Sequence, residues 1–151
     1  MIFSRPCEYA IRAMTHLADS PEGVARAQEI AEAEDIPLPI LSKVLQDLAR
    51  DGLLKSRRGP GGGFRLARVR EHIRLPDVVA AIDGTEDFYR CVAGLAGCSE
   101  EAPCPLHDMW KHFRENLMVS LETSTLDSMA KVVKKKKQVA AKKGPRLSGV
   151  V

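Results

Sequence analysis

The chain has 151 residues, 44% of them hydrophobic and 28% charged, with four cysteines and a net charge of +3. One domain with a tail is the simplest organisation, and no run is long and apolar enough to span a bilayer. The segment Met1 to Pro6 lacks the apolar stretch and cleavage site of a secretory signal. The chain is therefore expected in the cytoplasm, where clustered thiols point to metal or redox chemistry rather than a disulfide framework. The charge is uneven: eight Lys or Arg and no acid follow from Lys131 onward, leaving fifteen basic against twenty acidic residues before it. Nucleic-acid binding cannot rest on such a body as a whole. It can rest on Lys55, Arg57, Arg58, Arg65, Arg68, Arg70 and Arg74, a cluster opposed only by Glu71.

The first helix is expected from Ser4 to Ala18, with Ser4 as N-cap and Pro6 tolerated in the first turn. Ala10, Met14 and Leu17 form its apolar face, and Cys7 and Glu8 lie at its start. Cys7 reads as a packing residue; His16, His72 and His112 read as packing or surface residues. A second helix spans about Arg26 to Glu34, and Asp35-Ile36-Pro37 interrupts it. A third runs from Pro39 to about Asp51, with Leu41, Val44, Leu45 and Leu48 inward and Ser42, Lys43, Gln46, Asp47 and Arg50 outward. Gly52 stops it.

Two short helices joined by a tight turn make a helix-turn-helix, although an ordinary helical hairpin has the same pattern. The next residues separate the two. Leu53 to Arg57 reads as a strand, Gly59-Pro60-Gly61-Gly62-Gly63 as a turn, and Phe64 to Leu66 as the return strand. A basic hairpin directly after the second helix is the wing of a winged helix. Arg57 and Arg58 are placed to reach DNA, and Gly61 and Gly62 let backbone amides approach phosphate. The candidate DNA contacts are thus Pro39, Ser42, Lys43, Gln46, Arg57, Arg58, Gly61 and Gly62.

A fourth helix spans about Pro76 to Ile82, and Phe88 and Tyr89 lead into Cys91–His107, CVAGLAGCSEEAPCPLH. Gly94, Gly97, Pro103 and Pro105 keep the first part of this stretch irregular. Soft thiolates select iron–sulfur clusters, zinc or Cu(I). Gaps of six and five residues between the cysteines are wider than the usual zinc knuckle and suit a polynuclear centre, with zinc as the alternative. Beyond Cys104, Leu106, Trp110, Phe113, Leu117 and Leu121 recur at helical spacing, predicting one helix from Pro105 to about Val133, roughly 40 Å long. One small domain cannot easily cover that stripe, so it is expected to pack both on its own domain and on a second copy across a twofold axis. From Lys134 the chain is a low-complexity basic tail, expected to be disordered.

The segment SRRGPGGGFRLAR after the helix-turn-helix, joined to the three-cysteine loop and CPLHDMW, resembles the Rrf family of bacterial winged-helix regulators over about residues 1–130. The resemblance implies a homodimeric transcription factor on a double-stranded DNA operator, with a cluster on Cys91, Cys98 and Cys104. In the IscR branch the fourth ligand is a histidine three residues after the last cysteine, the place of His107. In the NsrR branch it is an acidic residue in the first helix of the partner subunit, the place of Glu8. His107 goes with 2Fe–2S, Glu8 with 4Fe–4S, and His107 is the preferred reading. The expected fold is mainly α with a small β-hairpin wing. It comprises a winged helix-turn-helix over 1–74, a cluster-binding loop and long dimerisation helix over 75–133, and a basic tail over 134–151. The expected function is a regulator, a repressor by preference, whose operator affinity follows redox, nitric oxide or iron status. The alternatives are a cluster-free regulator with a thiol switch or zinc staple, and a winged-helix protein-interaction module. No phosphate-cradling loop, nucleophile–base pair or paired carboxylates suggest an enzyme.

Overall fold

The computed structural model describes residues 2–143, which form six helices and one two-stranded antiparallel sheet. Helix α1 (Arg5–Asp19) is the centre of the packing, touching the second, third, fourth and sixth helices. Its start is fixed by Ser4, whose hydroxyl accepts the Cys7 N–H at 3.2 Å. Cys7, Ala10, Ala13, Met14 and Leu17 are fully buried, and the alanines keep that face narrow enough for close helix approach.

Helix α2 (Ala27–Glu34) ends on Asp35 in the left-handed conformation, φ 50°. Helix α3 (Leu38–Arg50) follows, with Leu41, Val44, Leu45 and Leu48 buried as their spacing predicts. Strands β1 (Leu54–Arg57) and β2 (Gly63–Leu66) pair in register Leu54 to Leu66 through Arg57 to Gly63. Leu53 is not in the strand because it is buried under α3, its N–H donating to the Leu48 carbonyl at 2.9 Å. Phe64 also pairs backward with Ala25, through bonds of 3.0 and 2.8 Å. The wing is thus tied to the segment that enters α2, which holds it against the helix-turn-helix.

Helix α4 (Leu75–Ile82) is preceded by a 3-10 turn at Arg70–His72 and followed by another at Glu86–Tyr89. The single helix expected from Pro105 to Val133 is two: α5 (His107–Thr123) and α6 (Leu126–Lys143). Three causes meet at the break. Ser120, Thr123 and Ser124 turn their hydroxyls back onto carbonyls three or four residues earlier, which weakens the helix end. Thr125 and Ser128 cap each other, as Thr125 N–H donates to Ser128 Oγ at 3.1 Å and Ser128 N–H to Thr125 Oγ1 at 3.2 Å. The freed backbone then pairs with the stem between wing and α4: Leu75 N–H to Ser124 O and Leu126 N–H to Ile73 O, both 2.9 Å.

The break turns α6 back across α1. Leu121, Leu126 and Ala130 join the same hydrophobic cluster as Met14, Leu41, Leu45, Ile73 and Val78. The expectation of disorder from Lys134 is corrected over residues 134–143, which continue α6 as helix; residues 144–151 of that expected tail lie outside the described residues. On α5, the stripe divides: Leu121 is buried, Trp110, Leu117 and Met118 are half-buried, and Met109 and Phe113 are exposed.

Candidate metal centre and nucleic-acid interface

The thiols of Cys91, Cys98 and Cys104 converge, with all three Sγ atoms within 4.8 Å of one another. They come from an irregular loop reversed at Gly94 (φ 72°) and Gly97 (φ 70°), a conformation that glycine adopts without strain. Cys91 and Cys104 Sγ are 3.8 Å apart, and Cys98 Sγ is 3.4 Å from Nδ1 of His107. All four cysteines are free thiols. His107 opens α5, because its N–H closes on the Cys104 carbonyl at 3.0 Å.

The loop is braced from α5. Trp110 Nε1 donates to the Arg90 carbonyl at 3.0 Å, and Arg114 donates to the Phe88 carbonyl at 3.3 Å while lying over the Tyr89 ring. The residues just before Cys91 are therefore fixed to the helix that carries His107. Nε2 of His107 is buried without a hydrogen-bond partner, although Oε1 of Glu100 lies 3.5 Å away; the same oxygen takes the Lys111 ammonium at 2.6 Å. That ion pair holds the Glu100 carboxyl below its ordinary range, through the Lys111 hydrogen bond first and His107 second. Backbone amides, Leu95 foremost, lower the Cys91 thiol. At Cys98 the Cys104 amide also favours thiolate, but desolvation and the neighbouring thiols outweigh it and the net shift is upward.

The donor set fits a soft, thiophilic centre: three thiols, one imidazole and an acidic group behind the imidazole. Glu8 stands half-buried in the first turn of α1 and does not join the thiols within one chain. Cys7 is buried with Val79 and Phe88, and burial, with Asp83 beside it, pushes its thiol up to about 12. It is a packing residue, as expected. Sequence reasoning misses Glu100, Lys111 and Arg114; the only signal for them is that Lys111 and Arg114 fall four and seven residues after His107, on one face of α5.

At the other end of the fold, Pro39, Lys43 and Gln46 are exposed on α3 and Ser42 is half-buried. Gln46, Ala49, Ser56, Arg57 and Arg58 line a groove of about 460 Å³ between α3 and the wing, together with Gly63 and Phe64. Arg57 and Arg58 are exposed. Gly61 is exposed at the tip, with φ 69°. Gly62 is different: it is buried in the turn, and its N–H is already spent on the Gly59 carbonyl at 2.9 Å. A Cβ there would overlap the Arg57 carbonyl and stand 2.7 Å from that of Gly59. Gly62 shapes the turn and has no amide free for phosphate.

This geometry has known counterparts. The family model for Rrf2, described as an iron-dependent transcriptional regulator, matches residues 3–132. IscR of Xenorhabdus nematophila, an HTH-type transcriptional regulator, is 34% identical over 124 residues, covering 82% of this chain and 75% of that protein. The structure of CymR, the global cysteine regulator of B. subtilis, superposes with a TM-score of 0.72 at 23% identity, covering 87% of this chain and 98% of that one. IscR of T. potens gives 0.69 at 24% identity, covering 97% and 93%. The two structures share the winged-helix fold, and the relatives are regulators rather than enzymes. No helix among the described residues is long and apolar enough to cross a membrane. With its helix-turn-helix, wing and family match over residues 3–132, the chain belongs to the Rrf2 family of DNA-binding transcriptional regulators.

Proposed function

We propose that this regulator binds its operator as a homodimer, and that an iron–sulfur cluster on Cys91, Cys98, Cys104 and His107 sets its DNA affinity. The convergence of three thiols, with the His107 imidazole beside that of Cys98, carries the reading. Cys91, Cys98, Cys104 and His107 would hold the cluster, and a histidine beside three cysteines is the donor set that favours the 2Fe–2S form. Such a cluster, when bound, supplies a redox- and nitric-oxide-sensitive cross-link between the two ends of the loop. A 4Fe–4S centre with Glu8 of the first helix as fourth ligand across the dimer is the less favoured form.

The chain's own residues would relay the loop's state. Trp110 and Arg114 hold the backbone at Arg90 and Phe88. Phe88 packs on Cys7 and Val79 and meets Phe3 edge-on, ring centroids 6.5 Å apart. Asp83 takes the Ser4 N–H at 2.9 Å and its hydroxyl as well, so the start of α1 is tied to the end of α4. A displaced loop would therefore bear on α1, against which α3 packs. On the DNA side, α3 offers Pro39, Ser42, Lys43 and Gln46 to the major groove, and Arg57 and Arg58 carry the wing to the phosphates. The exposed Met109 and Phe113, four residues apart on one face of α5, are the apolar surface that a second copy would cover.

A second reading, a zinc staple, draws on the compactness of the site. Ligands on one tetrahedral zinc with Zn–S bonds near 2.3 Å lie about 3.8 Å apart, close to the Cys91–Cys104 spacing. Anaerobic purification decides between them. The cluster reading expects a brown protein with iron and sulfide in equal amounts, a colour lost in Cys98→Ala, and different operator affinity for replete and apo protein at matched salt. Colourless protein containing zinc, with unchanged affinity after chelation, would overturn it.

A further inference from the structure

Helix α6 continues well past the part that the core needs. Its last buried residue is Ala130, and from Lys131 to Lys142 only Val133 is partly covered. Within that stretch stand Lys131, Lys134, Lys135, Lys136, Lys137 and Lys142, with no acid among them. Lys131 is held by Asp127 at 2.6 Å, and Lys137 reaches Asp19 at 4.0 Å. Lys134, Lys135, Lys136 and Lys142 form no ion pair among the described residues.

Such a helix is unfavourable alone. Lys131 and Lys135, like Lys134 and Lys137, are like charges on one face at helical contact spacing. Four consecutive lysines at Lys134–Lys137 also point in all directions around the axis, since each residue turns the helix by about 100°. An extended polyanion relieves this repulsion.

The position selects which polyanion. Asp19, which meets Lys137, is the last residue of α1, and the turn after it leads to Ala25, the residue paired with wing strand β2. At the start of α6, Arg70 joins Asp127 at 3.0 Å to the Ala18 carbonyl at 2.9 Å. The lysine helix is thus mounted on the unit that carries the wing. Residues 1–130 hold fifteen basic and twenty acidic side chains, so the body alone repels duplex DNA outside the wing cluster.

We propose that α6 beyond Ala130 is a second DNA-binding surface, which grips backbone phosphates without reading sequence while α3 and the wing read the site. It rests on the family's DNA binding and adds affinity, association rate and salt dependence, with no share in choosing the operator.

The test uses the full chain and a short mixed-sequence duplex, with affinity measured across a salt series. The variant carries Lys134→Gln, Lys135→Gln, Lys136→Gln and Lys142→Gln, all exposed positions where a good helix former replaces the charge. The slope of log affinity against log salt should fall by about 0.9 for each phosphate that α6 no longer neutralises. The corresponding Lys→Arg variant should restore the slope, which excludes a folding defect. Preference for any enriched operator over the mixed duplex should stay constant. Arg58→Ala, which tests the wing, should weaken binding whether or not α6 takes part. A parental slope in the glutamine variant overturns the proposal. So does an unchanged slope with lost binding to vesicles of anionic lipid, which would assign the helix to a membrane surface.

Discussion

Gly62 offers the sharpest test of how the wing is built. An alanine methyl at this position would overlap the Arg57 carbonyl and come within 2.7 Å of the Gly59 carbonyl, both of them backbone atoms that cannot swing aside. Relief requires opening the turn, which breaks the 2.9 Å bond from Gly62 N–H to Gly59 O and shifts Gly63, itself pressed against Ala25. Overpacking of this kind costs about 1–3 kcal/mol. For a chain of this size each kcal/mol moves the melting temperature by roughly 3 °C, so Gly62→Ala should melt about 3–9 °C lower. Gly61, one residue away, has a positive φ and open space around it. Gly61→Asn should therefore be nearly silent, because asparagine enters the left-handed region readily, whereas Gly62→Asn should be as harmful as alanine. Calorimetry and operator binding on the parent and the three variants provide the comparison. A Gly62→Ala protein with parental melting temperature and parental DNA affinity would refute the close-packed turn.

Leu126, fully buried where α6 returns to the core, should cost about 2–5 kcal/mol when changed to alanine, seen as a lower denaturation midpoint; a loss under about 1 kcal/mol would mean that α6 is only loosely docked. Asp127 faces Lys131 at 2.6 Å and Arg70 at 3.0 Å, and its carboxyl is held below its ordinary 3.8, by the Lys131 hydrogen bond first. A depressed carboxylate stabilises the fold above its unfolded value, and that contribution disappears as pH falls through the folded one. Asp127→Asn should thus be less stable than the parent near neutrality, with the difference shrinking in acid; a constant difference down to pH ~2 would contradict the assignment. Arg58→Ala should weaken binding similarly for all duplexes and lower the salt slope by about 0.9 per subunit, whereas Gln46→Ala should change which duplex is preferred. Glu100→Ala should leave the fold intact but move the visible spectrum or potential of cluster-loaded protein, because it stands behind the His107 imidazole; an identical spectrum and potential would deny it that part.

Much of the architecture is carried by local chemistry. The Ser4 cap, the inward spacing of Leu41, Val44, Leu45 and Leu48, and the run of glycines after Arg58 each specify their element through side-chain period or backbone freedom within a few residues. The same holds for the candidate metal donors: three cysteines and a histidine in seventeen residues cannot lie far apart once the loop closes.

Three features were decided only by contacts between distant parts of the chain. The helical period runs unbroken enough from Leu106 to Leu121 to suggest one long rod, yet the chain turns at Ser124, because the stem at Ile73–Leu75 offers backbone partners that no local pattern encodes. The lysine run reads as a solvated tail by composition, and its helix begins only because Leu126 and Ala130 are anchored against α1. Gly62 and Gly61 are indistinguishable as letters; strand register alone puts one inside the turn and the other at its tip. Local residue chemistry limits what each position can do within a turn or two of helix, and tertiary packing selects among those options by satisfying polar backbone and covering apolar surface across long separations.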